Sequence, residues 1–342
     1  MANDAVSRRD FVKGAAVAGA AAVSGAAAPA GVTKTRSYNP DMEYRRLGRT
    51  NLMVSVISLG GHWKKIPFQR GSAEFDRNRR DVIHACLDYG INYVDACCQP
   101  EVETYAKALG RRREEIYFGF DWTLARKPEI SGSVDALLAG LDEGMKQTGL
   151  EYVDVWRLTI RELATATTWH EMECIAEAFD RAKQAGKARF TGVSTHHRSW
   201  VAAAVAKYPQ LEVIITPYAA GSKEKPVGSM FDAFRRHDVG FIGIKPFASG
   251  SLFKSKGAPD SEFKAEDDKR ARMALRHVLC CDVLAASIPG LITVDQVRNA
   301  VAAVKERREF DLAEVRHHDA MTREMWASLP GHYQWLRDWE YV

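Results

Sequence analysis

Apolar residues along the chain alternate between two spacings. Short β-branched runs occupy 54–59, 93–96, 116–120, 153–158, 188–194, 213–216, 240–244 and 284–288. Stretches with apolar residues three and four apart lie between them, at 79–89, 134–148, 172–185, 200–207, 230–237, 267–280 and 294–307, the period of a helix with one buried face. Gly90, Gly149, Gly186 and Gly240 follow helical stretches, where a left-handed C-terminal cap is expected. Strands alternating with helices predict a parallel sheet. Eight strands within about 250 residues predict closure into an α/β (β/α)8 TIM barrel. A doubly wound sheet is the alternative, but no GxGxxG follows the first run and no GxxxxGK[ST] occurs. A further helix at 312–329 leads into His332-Tyr333-Gln334-Trp335-Leu336-Arg337-Asp338-Trp339-Glu340-Tyr341-Val342. That aromatic end is expected either to pack on the barrel wall or bottom, or to serve as a lid or a surface for a protein partner.

Composition adds little to this picture. Of 342 residues, 46% are hydrophobic and 27% charged, enough apolar material for one large core. The net charge of +4 is dispersed, with only short clusters such as Arg111-Arg112-Arg113, which excludes a nucleic-acid binder in favour of solvated helix ends. The six cysteines include two adjacent pairs, Cys97-Cys98 and Cys280-Cys281. Neighbouring cysteines bridge only with strain, so most are expected to be small buried residues.

The first thirty residues say more. Ser7-Arg8-Arg9-Asp10-Phe11-Val12-Lys13 precedes a weakly apolar, Ala/Gly-rich stretch and Ala28-Pro29-Ala30. This resembles a twin-arginine signal peptide over 1–30, followed by a linker over 31–43, a barrel over 44–310 and a C-terminal helix and tail over 311–342. The resemblance implies a bacterial protein exported, already folded, to the periplasm. No stretch is apolar and long enough for a membrane span in the mature protein.

Glu43-Tyr44-Arg45-Arg46-Leu47-Gly48-Arg49-Thr50-Asn51-Leu52, Gly90-Ile91-Asn92-Tyr93-Val94-Asp95, Gly186-Lys187-Ala188-Arg189-Phe190-Thr191-Gly192-Val193-Ser194 and Ile288-Pro289-Gly290 follow one another in the expected strand positions. Together they resemble the aldo/keto reductase family over residues 43–305. The resemblance implies an oxidoreductase with a tetrad of Asp, Tyr, Lys and His at the strand ends. Asp95 matches the aspartate. Pro100 stands at the tyrosine position, Asp121 at the lysine and Thr159 at the histidine. An acid in place of lysine raises a neighbouring phenol's pKa rather than lowering it, so these substitutions speak against conventional NADPH-dependent carbonyl reduction. The implied cofactor is NADP or NAD, with Ser194, Lys245, Gly290 and Gln296 as retained contacts. The position that usually carries a basic residue for a 2′-phosphate is Ile292.

Catalytic chemistry in this fold gathers at the C-terminal ends of strands. Asp95 and Asp121 are expected to share that mouth, neutralised by Arg157 and Lys245, either as a salt-bridge plug or as an acid–base pair acting on a small carbonyl or sugar-like ligand. His62, Trp63, Trp122, Tyr218 and His196 are candidate substrate contacts. The histidines and cysteines nearby lack a recognised ligand spacing, so no metal is expected. Two readings follow: an exported enzyme with a non-standard site, or a catalytically inactive barrel kept as a binding or assembly module.

Overall fold

The computed structural model describes residues 34–61, 63, 65–123, 125–160, 167–224 and 228–339; the signal segment and His62 lie outside them. The chain opens with a hairpin, β1 (Tyr44–Arg46) antiparallel to β2 (Met53–Ser55). The barrel strands follow: β3 (Leu59–Gly60), β4 (Tyr93–Ala96), β5 (Tyr117–Phe120), β6 (Val153–Thr159), β7 (Ala188–Ser194), β8 (Val213–Pro217), β9 (Gly240–Ile244) and β10 (Leu284–Ile288). They pair in parallel and in sequence order. Ile57 bridges Ser287, Ser58 N–H donates to Ser287 O (2.9 Å) and Ser287 N–H to Val56 O (2.8 Å), which joins the first strand to the last.

The hairpin accounts for one departure from the sequence pattern. The run 54–59 is not one strand, because its first residues pair back on β1 and only its end enters the barrel. Leu47, Leu52 and Val54 from this hairpin join Tyr93, Val155, Val213, Ile215 and Ile242 in the inner core. Leu47 lies where a side chain on Gly240 would go, 2.7 Å from its would-be Cβ. Gly240 is therefore a packing glycine at the start of β9 rather than a helix cap; Asp238, at φ +50°, caps the helix Met230–His237. Gly90, Gly149 and Gly186 do take positive φ as expected.

The helices cover the outside: α1 (Ala73–Asp88), α2 (Gln99–Leu109), α3 (Pro128–Ser131), α4 (Val134–Thr148), α5 (Trp169–Gln184), α6 (Arg198–Lys207), α7 (Met230–His237), α8 (Lys264–Val278) and α9 (Val294–Lys305). Ser72, Ser133, Thr168, Ser229 and Thr293 cap α1, α4, α5, α7 and α9 through side-chain acceptors, each typically contributing about 1 kcal/mol. Opposite the mouth, the fully buried Asp154 accepts hydrogen bonds from Arg36 (3.1 Å), Arg113 (3.0 Å), Arg189 (2.6 Å) and Phe118 N–H (2.9 Å). That cluster ties the segment before the hairpin to the barrel.

After β10 and α9, helix α10 (Leu312–Ala327) starts at Asp311, whose carboxylate accepts from Ala313 and Glu314 N–H (2.9 Å each). A 3-10 segment, Gly331–Trp339, completes the chain described. Met321, Met325, Leu329 and Leu336 pack with Ala219, Ala220, Leu252 and Met273 in a separate apolar cluster. The aromatic end therefore packs on the wall at α8 and also reaches the mouth: Trp335 stacks on His196 (4.4 Å), which follows β7.

Candidate active site

Side chains alternate in and out along a strand, and Tyr93 and Val155 point inward. The same parity sends Asp95, two residues on, and Arg157 and Thr159 into the barrel mouth. Arg157 Nε and Nη2 donate to the two carboxylate oxygens of Asp95 (2.6 and 2.7 Å). Its Nη1 donates to Thr159 Oγ1 (2.6 Å) and lies 3.5 Å from Asp121 Oδ2. Asp121 also accepts the Thr159 backbone N–H (2.7 Å). Asp95 is 4% exposed, Asp121 0% and Arg157 1%. Burial works against the Arg157 charge, but Asp95 and Asp121 outweigh it and hold the guanidinium protonated. Burial raises Asp95 above the usual carboxylate range, against the pull of Arg157. One guanidinium from β6 thus bridges acids from the ends of β4 and β5, a planar fork meeting a carboxylate side-on.

Above this network lies a cavity of about 330 Å³, lined by Asp95, Cys97, Arg157, Thr159, Ser194, His196, Lys245, Gly290 and Gln296 among others. Six of the expected catalytic and cofactor positions therefore share one pocket: Asp95, Arg157, Lys245, Ser194, Gly290 and Gln296. Asp121 sits beneath it, against Arg157. Lys245, at φ +59°, places its ammonium 5.9 Å from the centre of the Tyr333 ring. Arg157 bridges the Asp95–Asp121 pair.

Of the expected substrate contacts, Trp63 and His196 line the cavity. Trp63 is braced by Tyr105 (5.0 Å between rings) and the Arg79 guanidinium (5.0 Å). Trp122 and Tyr218 do not line it. Trp122 stacks on Phe120 (6.4 Å) and Tyr218 meets Phe231 and Phe241 edge-on. Both lie one residue off the inward parity. Tyr105, on α2, is fully buried outside the barrel, and burial raises its phenol well above the usual range.

Sequence reasoning did not anticipate the far wall. Phe247, Ser249, Gly250, Ser255, Lys256 and Lys264 line the cavity after β9, and Asn299 and Tyr333 close it. Lys65, Arg126, Lys245, Lys256 and Lys264 make that rim more basic than acidic. Ala248 and Ser249 adopt positive φ (46° and 57°) next to Gly250, a strained loop of the kind found at ligand sites. Gln296 accepts Ile292 N–H (2.9 Å). Arg79 donates to the Leu291 (3.1 Å) and Ile292 (3.0 Å) carbonyls, fixing the turn after β10. The signal for this wall was present in the Lys/Ser/Gly-rich loop 245–259, but its fold is irregular and no period marks it.

The cysteines also differ from expectation. None of the six is disulfide-bonded among the described residues; only Cys86 is buried, and Cys280 is exposed. Cys97, Cys98 and Glu101 bring their ligating atoms within 4.8 Å of one another at the start of α2.

A sequence model described as the aldo/keto reductase family matches residues 57–322, and one for the twin-arginine translocation signal matches residues 5–25. The chain is 25% identical over 255 residues to L-glyceraldehyde 3-phosphate reductase of Escherichia coli, covering 67% of this chain and 69% of that protein. It is 22% identical over 289 residues to L-galactose dehydrogenase of Arabidopsis thaliana, covering 78% and 89%. In fold it is similar to the holo form of an aldo-keto reductase from Bacillus halodurans, with TM-score 0.61 and 21% identity, covering 85% of this chain and 99% of that one.

Proposed function

The chain belongs to the aldo/keto reductase family and carries a twin-arginine export signal, and from that premise we propose that it is a periplasmic oxidoreductase with a rebuilt site. Its pocket holds a nicotinamide dinucleotide on the basic wall and a small carbonyl or sugar-like substrate against Asp95, Arg157 and Trp63. The observation that carries the reading is the single cavity joining the Asp95–Arg157 pair to Ser194, Lys245, Gly290 and Gln296.

The residues present fit such a cofactor. Five cationic side chains on the rim suit a pyrophosphate. Lys245, Ser194, Gly290 and Gln296 are the residues that would hold it. Ile292 supplies no charge for a 2′-phosphate, which favours NAD over NADP. Bound there, the nicotinamide supplies hydride transfer. The chain's own residues do the rest. The Asp95–Arg157–Thr159 network orients a substrate oxygen by hydrogen bonds. Trp63 and Tyr333 offer flat faces to the apolar side of a sugar, and Trp335 over His196 limits access of water. The names of the two relatives, one a triose phosphate reductase and the other a hexose dehydrogenase, support a sugar-like substrate. A periplasm has no diffusible nicotinamide pool, so the dinucleotide enters before export and stays bound.

The test is single-turnover oxidation or reduction of the dinucleotide held by the purified protein, followed by its absorbance, with a panel of aldoses, ketoses and their phosphates. Turnover that falls at least tenfold in Arg157→Lys supports the proposal; no turnover in either direction with any of them overturns it. A second reading, a retired site serving as a binding module, is favoured by one observation. Arg157 and Asp121 are sealed at 1% and 0% exposure, with Pro100 where the family's proton donor stands.

A further inference from the structure

We propose that Cys97, Cys98 and Glu101 form a site for a thiophilic divalent cation of the zinc class, with its open position facing the barrel mouth. β4 ends at Ala96, so the next two residues leave the sheet and Cys98 becomes the N-cap of α2. Glu101 falls in the first turn of that helix, 1% exposed, and accepts the Cys97 N–H (3.2 Å). This fold-back brings two sulfurs and a carboxylate oxygen within 4.8 Å of one another. Tetrahedral zinc with sulfur at about 2.3 Å and oxygen at about 2.0 Å needs ligand separations of roughly 3.5–3.8 Å. Rotation of the two half-buried cysteine side chains closes the difference.

The charges favour the same occupant. Three negative ligands in a largely buried site require a counter-charge, and two thiolates select a borderline-soft cation over magnesium or calcium. Cys97 lines the cavity beside Asp95. Three protein ligands with the fourth position open is the arrangement of zinc sites that bind substrate. The cation would then present an electrophile at the start of α2, which carries Pro100 where the resembled family has its tyrosine. That role rests on the oxidoreductase reading above; the site itself does not.

The experiment is a Co2+ titration of the reduced full-length chain, without nucleotide, followed by absorbance. The proposal expects one equivalent bound, with a near-ultraviolet thiolate-to-cobalt band, and Zn2+ displacing it. Cys97→Ser and Cys98→Ser should lose the band, and Glu101→Gln should weaken binding at least tenfold. The double variant Cys280→Ser/Cys281→Ser, at the other adjacent pair, should bind as before. Far-UV circular dichroism shows that each variant is folded, and Glu101→Gln serves if a serine variant is not. A wild-type chain without the band at excess Co2+, or a band that survives in folded Cys97→Ser or Glu101→Gln with unchanged affinity, overturns the site. Because no nucleotide is present, that result leaves the oxidoreductase reading standing.

Discussion

The Arg157 guanidinium grips both oxygens of the Asp95 carboxylate, at 2.6 and 2.7 Å, at the closed base of the pocket. Removing that cation leaves Asp95 and Asp121 buried without their bridging charge. Arg157→Leu is expected to cost roughly 3–5 kcal/mol, the range for breaking one side of a buried pair. Arg157→Lys keeps the charge but loses the fork, and should fall between that variant and wild type. Urea unfolding of the three proteins checks the order.

Asp154 plays the corresponding part at the other end of the barrel, where three arginines and one amide meet its carboxylate. Asp154→Asn removes the charge at nearly constant volume and should destabilise the fold by about 3 kcal/mol or more. It lies far from the mouth, so ligand affinity in the folded fraction should stay unchanged. Denaturant midpoint and ligand titration on the same sample separate the two effects.

His318 predicts an acid sensitivity. It stacks on His277 (4.5 Å) and meets Phe310 at a tilt (5.3 Å). Burial first, then the positive fields of His277, Lys223 and His317, lower its pKa from 6.5 to about 3; burial also lowers His277. The unfolded chain therefore takes up a proton near pH 6.5 that the folded chain refuses. Its contribution is fully present above that pH and is lost as pH falls toward 3. From pH 7 to pH 5 this one group should remove about 2 kcal/mol. His318→Phe should flatten the slope of thermal stability over that window. An unchanged slope would assign the acid loss elsewhere.

Trp335 covers His196 at 4.4 Å, and Tyr333 faces Lys245 across the pocket. Trp335→Ala should cost about 0.5–1.5 kcal/mol from the lost stack and open the mouth. Stopped-flow binding of a dinucleotide is expected to show faster association and a larger increase in dissociation. Equal rates in both proteins would make the tail a wall element with no gating effect.

The sequence pattern made the barrel legible because inward and outward faces of eight consecutive strands must each bury apolar side chains. Asp95, Arg157 and Thr159 were readable by parity from Tyr93 and Val155. Trp122 and Tyr218 were misplaced by ignoring that rule, since each sits one step off the inward face. The hairpin at 44–55 was hidden because a strand that folds back and a strand that enters the barrel carry the same β-branched pattern. The loop wall at 245–259 was hidden because irregular backbone has no period. The position of the aromatic tail depends on the docking of α10 through Met321 and Met325, a long-range contact with no local signature. Glu101 joins the two cysteines only because β4 stops at Ala96 and α2 begins three residues later, at Gln99.

Direct binding measures best whether the mouth of this exported barrel is a working dinucleotide pocket. Protein purified from the envelope fraction should carry a dinucleotide detectable by absorbance and mass spectrometry. Stripped of it, the protein should rebind NAD(H) or NADP(H) with a saturable change in tryptophan fluorescence, weakened at least tenfold in Lys245→Met. Protein that carries no dinucleotide, and shows no saturable response to millimolar concentrations of either cofactor in either redox state, would contradict the claim.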